Sequence, residues 1–177
     1  MRISSALSKM KYLSFSAALM IVYGVLSCTY AQQRLEVPDG WVKINVCQIS
    51  FFAPSDMKDL GTKGADSCVA QFANNDITLY LDYGPYGGPP TEGSLNRGST
   101  EQLISIDGKD AKLLTYIDDT HGNSGRKYDA SLYVLVKEPE SKDLPKGISL
   151  MMWVQGQREK DQEIAQRIFR TIRFEHR

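Results

Sequence analysis

The chain has 177 residues, of which 42% are hydrophobic, and its 21 basic side chains balance its 21 acidic ones. Three of the basic residues and none of the acidic ones lie within residues 1–31, so a chain without that segment is weakly acidic. A weakly acidic chain without a basic cluster argues against nucleic acid as a partner and against an electrostatic hold on anionic membranes.

Residues 1–31 have the order of an export signal. Basic residues are followed by an uncharged run from Tyr12 to Ala31, and charge returns at Arg34. Thr29 and Ala31 are small residues at the two positions that signal peptidase reads, which predicts cleavage after Ala31. The predicted mature chain, residues 32–177, has the length of one domain and would be secreted or periplasmic.

Two alternatives to cleavage after Ala31 stay open. The segment Val25–Cys28 resembles the lipobox of bacterial lipoproteins, in which Cys28 becomes the lipid-bearing terminus. An uncleaved run of about 20 uncharged residues is also long enough to span a bilayer. We therefore expect membrane association only if Cys28 is lipidated or the signal is retained.

Two cysteines, Cys47 and Cys68, remain in the predicted mature chain. In an oxidising compartment an even pair predicts one disulfide, and the alternative is two buried thiols. The histidines, His121 and His176, make no zinc-ligand spacing with these cysteines. We expect no metal and no cofactor.

Strand patterns dominate the first half of the mature chain. Trp41–Val46 and Gln48–Ala53 are predicted as two strands or one long bent strand. Ser67–Phe72 is predicted to pair with Ile77–Tyr83 across a turn at residues 74–76, because Asn and Asp favour turns.

The second half begins with a Gly- and Pro-rich stretch, residues 83–99, which predicts a long loop. Glu101–Ile106 and Ala111–Ile117 are predicted to form a hairpin around Asp107-Gly108, because this dipeptide suits the positive φ angles of a type I′ turn.

The last elements are two long strands, a helix and a short strand. Asp129–Lys137 and Ile148–Gln155 are apolar on both faces, which predicts central strands covered on each side. Lys160–Arg170 has apolar residues at helical spacing, and Thr171–Phe174 returns to alternation. The predicted fold is α+β, a mostly antiparallel sheet with a C-terminal amphipathic helix packed on it.

Two segments resemble the opening and the close of PsbP-like domains: ISFFAPSDM at residues 49–57 and IAQRIFRTIRF at residues 164–174. The resemblance implies an antiparallel sheet flanked by helices and no functional residue. The sequence departs from that family before Asp107, where the Gly/Pro loop stands in place of a helix. The alternative is a lipocalin-like β-barrel, suggested by Gly40-Trp41, the many strands and the late helix. The lipocalin signature has a residue between Gly and Trp that this chain lacks.

No segment carries a recognisable catalytic motif. Residues 118–126 include side chains that a metal could use, but their spacing differs from a calcium loop, and a solvated turn accounts for them better. These side chains are Asp118, Asp119, Thr120, His121 and Asn123. Ser124–Lys127 matches S-x-x-K without the partner motifs of penicillin-recognising enzymes. We predict no catalytic, cofactor or metal residues.

Three tyrosines that run into the Gly/Pro loop form the candidate ligand or partner surface: Tyr80, Tyr83 and Tyr86. Half-buried sheet tyrosines give the same pattern without a ligand. Alternation places Tyr83 on the face opposite Tyr80 and Asp82. We predict an exported, non-enzymatic domain that binds an unknown protein or envelope component through its sheet edge or long loop. The alternatives are a carrier of small apolar ligands, tied to the barrel, and a hydrolase.

Overall fold

The structure, a computed structural model, describes residues 37–89, 99–118, 125–138 and 147–175. The predicted leader with Cys28 lies outside the described residues. So do the middle of the Gly/Pro loop and, from the predicted polar turn, Asp119, Thr120, His121, Asn123 and Ser124. The described residues all belong to one compact unit, Val37–Arg177.

Within those ranges the chain forms ten strands and one helix. They are β1 (Trp41–Val46), β2 (Ile49–Pro54), β3 (Lys58–Asp59), β4 (Cys68–Ala73), β5 (Ile77–Gly84), β6 (Thr100–Ile106), β7 (Lys109–Ile117), β8 (Tyr128–Lys137), β9 (Ile148–Gly156), α1 (Glu159–Arg170) and β10 (Arg173–Phe174).

Seven strands form one antiparallel sheet in the order β3-β4-β5-β9-β8-β7-β6. The predicted hairpin of β4 with β5 is confirmed, as is the central place of β8 and β9. The predicted cover on each side of these two strands is found on one face only among the described residues, where α1 packs, and Tyr133, Met151 and Trp153 on the other face are partly exposed. The order has two ends, β3 and β6, so the described strands form an open sheet and not a closed barrel of the lipocalin kind. The predicted α+β fold with a C-terminal helix on an antiparallel sheet is confirmed.

The second sheet has three strands in the order β1-β2-β10. The turn between β1 and β2 is Cys47-Gln48, with φ angles of +54° and +62°. Gln48 therefore lies in a turn with two positive φ angles, and the prediction that it begins the second strand is wrong. Phe174, in β10, pairs with Ile49 and brings the C-terminal strand onto β2.

One face of the seven-stranded sheet, which we call the inner face, packs against α1 and the small sheet. Leu81, Met152 and Leu132 are opposite one another in register there, and all three are buried in the same core cluster as Phe169 of α1. Phe51 of β2 meets Phe72 of β4 edge to face, with ring centroids 6.1 Å apart. Burial of these side chains in one core with the apolar face of α1 is the main source of stability.

A disulfide and polar contacts of Asp107 tie the small sheet to the large one. A disulfide joins Cys47 to Cys68, with the Cα atoms 5.5 Å apart, which confirms the predicted bridge. Asp107 and Gly108 have φ angles of +50° and +78°, which confirms the predicted type I′ turn. The Asp107 carboxylate accepts a hydrogen bond from the Phe174 amide at 2.9 Å and so holds β10.

The helix α1 has twelve residues. Among the described residues, no helix is both long and apolar enough to cross a membrane.

Candidate binding surface

The other face of the seven-stranded sheet, which we call the outer face, carries a different set of side chains. Its centre consists of Tyr80 and Asp82 from β5, Met151 and Trp153 from β9, and Ser131 and Tyr133 from β8. Side chains alternate between the two faces of a strand, so each of these residues neighbours a buried inner-face residue in sequence. No helix among the described residues covers this face.

Two aromatic rings stand at the centre of the outer face. Tyr80 and Trp153 are directly opposite each other in register, and their rings stack with centroids 4.6 Å apart and planes 14° apart. Met151 and Tyr133 are opposite each other in the next row. All four side chains are partly exposed, so aromatic and thioether surface faces outward there.

Two buried polar atoms flank this aromatic pair. Ser131 is opposite Trp153 on the next strand and is 6% exposed. Among the described residues, its Oγ atom and the Oδ1 atom of Asp82 have no hydrogen-bond partner. A buried polar group without a partner costs free energy, and a molecule that donates to it offsets that cost.

The Gly/Pro loop begins against the outer face. The Ser149 hydroxyl donates one hydrogen bond that is shared between the carbonyl oxygens of Gly84 and Gly87, at 3.3 and 3.1 Å. A Cβ atom at Gly87 would lie 2.7 Å from the Ser149 Oγ, so a larger residue there would force the Ser149 side chain to move. Tyr86, next to Gly87, is 65% exposed.

The structure separates the three tyrosines of the predicted surface. Tyr80 lies on the outer face, and Tyr86 lies in the loop that begins there. Tyr83 pairs with Leu150 and packs against the core on the inner side. The predicted surface did not include the other outer-face residues, although the alternation of side chains in β8 and β9 places each of them on one side of its strand.

A polar row closes one end of the outer face. Arg126 donates to the Thr78 hydroxyl at 2.6 Å and to the Asn74 carbonyl oxygen at 3.2 Å. Burial, followed by the negative charges of Asp129 and Asp118, raises the pKa of Tyr116 to about 12. Tyr116 therefore stays protonated at neutral pH, as a hydrogen-bond donor and not as a base.

Two cavities are formed by described residues elsewhere. One, of about 350 Å³, has a largely polar lining of Thr100, Thr115, Tyr116, Ile117, Tyr128, Glu159 and Gln162. The other, of about 340 Å³, lies beside β3 and is lined by Asp56, Lys58, Leu60, Ala73, Asn74 and Asn75. The largely polar lining of the first cavity does not suit an apolar ligand. The described residues also contain no group of three His, Cys, Asp or Glu side chains placed to hold a metal.

The chain matches no model of a known protein family, and none of the curated proteins matches it. The resemblance to PsbP-like domains stays a prediction.

Proposed function

We propose that this protein is an exported, non-catalytic binding domain that holds a protein partner of the cell envelope or extracellular space on its outer face. The observation that carries the proposal is the stacked Tyr80–Trp153 pair on a sheet face that no described helix covers. Tyr, Trp and Met are the residue types enriched at protein interfaces, and Tyr and Trp dominate their binding energy.

The two unpartnered polar atoms support a partner on the same face. A protein bound over Trp153 can donate a backbone or side-chain hydrogen bond to Ser131 Oγ and another to Asp82 Oδ1. Each bond would offset a desolvation cost that the free domain already carries. The stacked geometry also favours a protein over a sugar, because each ring already uses one of its faces to contact the other.

Export is supported by two features. The first 31 residues have the order of a signal peptide, and the Cys47–Cys68 disulfide is compatible with an oxidising compartment. The carrier of small apolar ligands is less well supported, because that function was tied to a closed barrel.

Site-specific photo-crosslinking in the native host tests the proposal. A photoactivatable phenylalanine replaces Tyr80 in one variant and Tyr128 in a second, which serves as the control. Both tyrosines are half-buried, but Tyr128 lines the polar cavity on the other side of the sheet. We expect one discrete protein adduct from position 80 and none from position 128. Adducts of equal yield from both positions, or none from position 80, would contradict the proposal.

A second measurement separates a protein partner from a small ligand. The protein has two tryptophans, so Trp41→Phe leaves Trp153 as the single fluorescent reporter on the outer face. The partner captured at position 80 should shift the Trp153 emission on titration, and an apolar dye such as anilinonaphthalene sulfonate should not. A saturable dye response that displaces no protein would favour the ligand carrier.

A further inference from the structure

The two edges of the seven-stranded sheet differ in the amount of backbone that they leave unpaired. β3, at one edge, is two residues long and consists of Lys58 and Asp59. β6, at the other edge, has seven residues, TEQLISI, all paired with β7 without a bulge. Natural edge strands are usually short, bulged or protected by lysine or proline, because an open edge accepts another strand. β6 has none of these protections.

The hairpin turn determines which backbone groups of β6 are free. A two-residue turn at Asp107-Gly108 makes Ile106 and Lys109 a hydrogen-bonded pair, and hydrogen-bonded pairs then alternate along the ladder. The backbone N–H and C=O groups of Glu101, Leu103 and Ser105 therefore point away from β7. These three residues are exposed, and Leu103 is 78% exposed, the highest value among the large exposed hydrophobic side chains of the described residues.

We propose that β6 pairs with β6 of a second copy of this chain, antiparallel, about a two-fold axis at Leu103. In that register Leu103 is opposite Leu103 of the partner subunit, and Glu101 is opposite Ser105 of the partner subunit. Glu101, Leu103 and Ser105, whose backbone groups point away from β7, are then each opposite a residue of the partner strand. The antiparallel pattern gives about six hydrogen bonds between the copies.

Neighbouring registers are worse for reasons of charge or length. An axis at Glu101 places two carboxylates opposite each other, and an axis at Ile104 places Glu101 opposite Asp107 of the partner subunit. An axis at Gln102 leaves Ser105 opposite a residue outside the strand. Like charges directly opposite each other destabilise a strand pair. In the Leu103 register no two charged residues of β6 are opposed.

The side chains fit the same arrangement. Glu101 is already ion-paired with Lys112 of β7 at 3.2 Å, so the edge brings no unbalanced carboxylate into the interface. Leu103 lies on the outer-face side of β6, where it would pack against its symmetry mate and lose contact with water. The dimer would have one continuous sheet, with the two outer faces on the same side.

Sedimentation equilibrium of the purified protein, with its disulfide intact, tests the association. We expect a dimer whose dissociation constant rises at least about tenfold in Leu103→Lys, because two ammonium groups then meet at the axis. Leu60→Lys is the matched control, since Leu60 is 52% exposed beside the β3 edge; this variant should dimerise as the wild type does. A monomer at every concentration, or a dimer that Leu103→Lys leaves unchanged, would overturn the proposal.

Cysteine crosslinking tests the register and does not depend on the lysine variants. Opposed Cβ atoms in a strand pair are about 5 Å apart, so Leu103→Cys should oxidise to a covalent dimer. Glu101→Cys should not, because its symmetry mate lies four strand positions away, and Leu60→Cys controls for random collision. Crosslinking through position 101 and not through position 103 would overturn the register.

Discussion

The inner and outer faces of the seven-stranded sheet are formed by the same strands but differ in how deeply their side chains are buried. On β9, Met152 is fully buried in the core, whereas its neighbour Met151 is partly exposed beside Trp153. The inner-face side chains are mostly apolar and need no hydrogen-bond partner, whereas Ser131 Oγ and Asp82 Oδ1 on the outer face are buried without a partner among the described residues. The inner face therefore supplies the core, and the outer face is the surface on which we propose that a partner binds.

The two methionines of β9 give the largest expected contrast. Met152→Ala should lower the free energy of unfolding by about 2–5 kcal/mol, because it leaves a cavity where the core cannot fully collapse. Met151→Ala removes the same atoms from a partly solvated position and should cost less than about 1 kcal/mol. Urea unfolding of the two variants measures both values. Equal losses would show that both faces are core, and the functional division would then fail.

The disulfide holds the small sheet, which covers the inner face, to β4. The bridged cysteines are 21 residues apart, and a loop of this size stabilises a fold by roughly 3 kcal/mol in the chain-entropy model. Reduction should therefore lower the melting temperature by several degrees. Cys68→Ala should have the same effect, since Cys68 is exposed and packs little. Dithiothreitol should not change the melting temperature of that variant, and any further loss would mean that the reductant acts elsewhere.

The two type I′ turns show how far the sequence could predict this fold. Asp107-Gly108 was predicted because Asp and Gly accept positive φ angles by themselves. Cys47-Gln48 was not, because neither residue favours such angles, and the disulfide and the pairing of β2 with β10 constrain them from a distance. Local preference could predict the first turn, and only long-range contacts explain the second.

In the candidate surface, too, a local pattern predicts one feature, and the pairing of distant strands determines another. Alternation in β5 correctly separated Tyr80 and Asp82 from Tyr83, because the period of a strand is local. The contact of Tyr80 with Trp153 depends on β5 pairing with β9, and more than 60 residues lie between those strands. The sequence of no single strand predicts that β9 lies between β5 and β8.

The Ser131→Ala variant separates the effect of this side chain on folding from its effect on binding. Its buried hydroxyl has no partner among the described residues, so Ser131→Ala should leave stability unchanged or raise it by up to about 1 kcal/mol. The same variant should bind the partner captured at position 80 less tightly. Thermal unfolding and a fluorescence titration measure the two effects. A variant that loses stability and keeps full affinity would assign Ser131 to the core.

The smallest expected effect concerns Tyr116, at the polar end of the outer face. Its pKa is raised to about 12 by burial first, and then by the charges of Asp129 and Asp118. In the unfolded chain a tyrosine ionises near pH 10, so between these values the folded state keeps a proton that the unfolded state loses. The stability that Tyr116 contributes is complete below pH 10 and is lost as the pH rises through 12. Stopped-flow absorbance at 295 nm after a pH jump, before unfolding, should therefore show a tyrosinate step near pH 12 that Tyr116→Phe removes. If the step removed by that substitution is centred near pH 10, the side chain is solvated, and this end of the outer face is open to water.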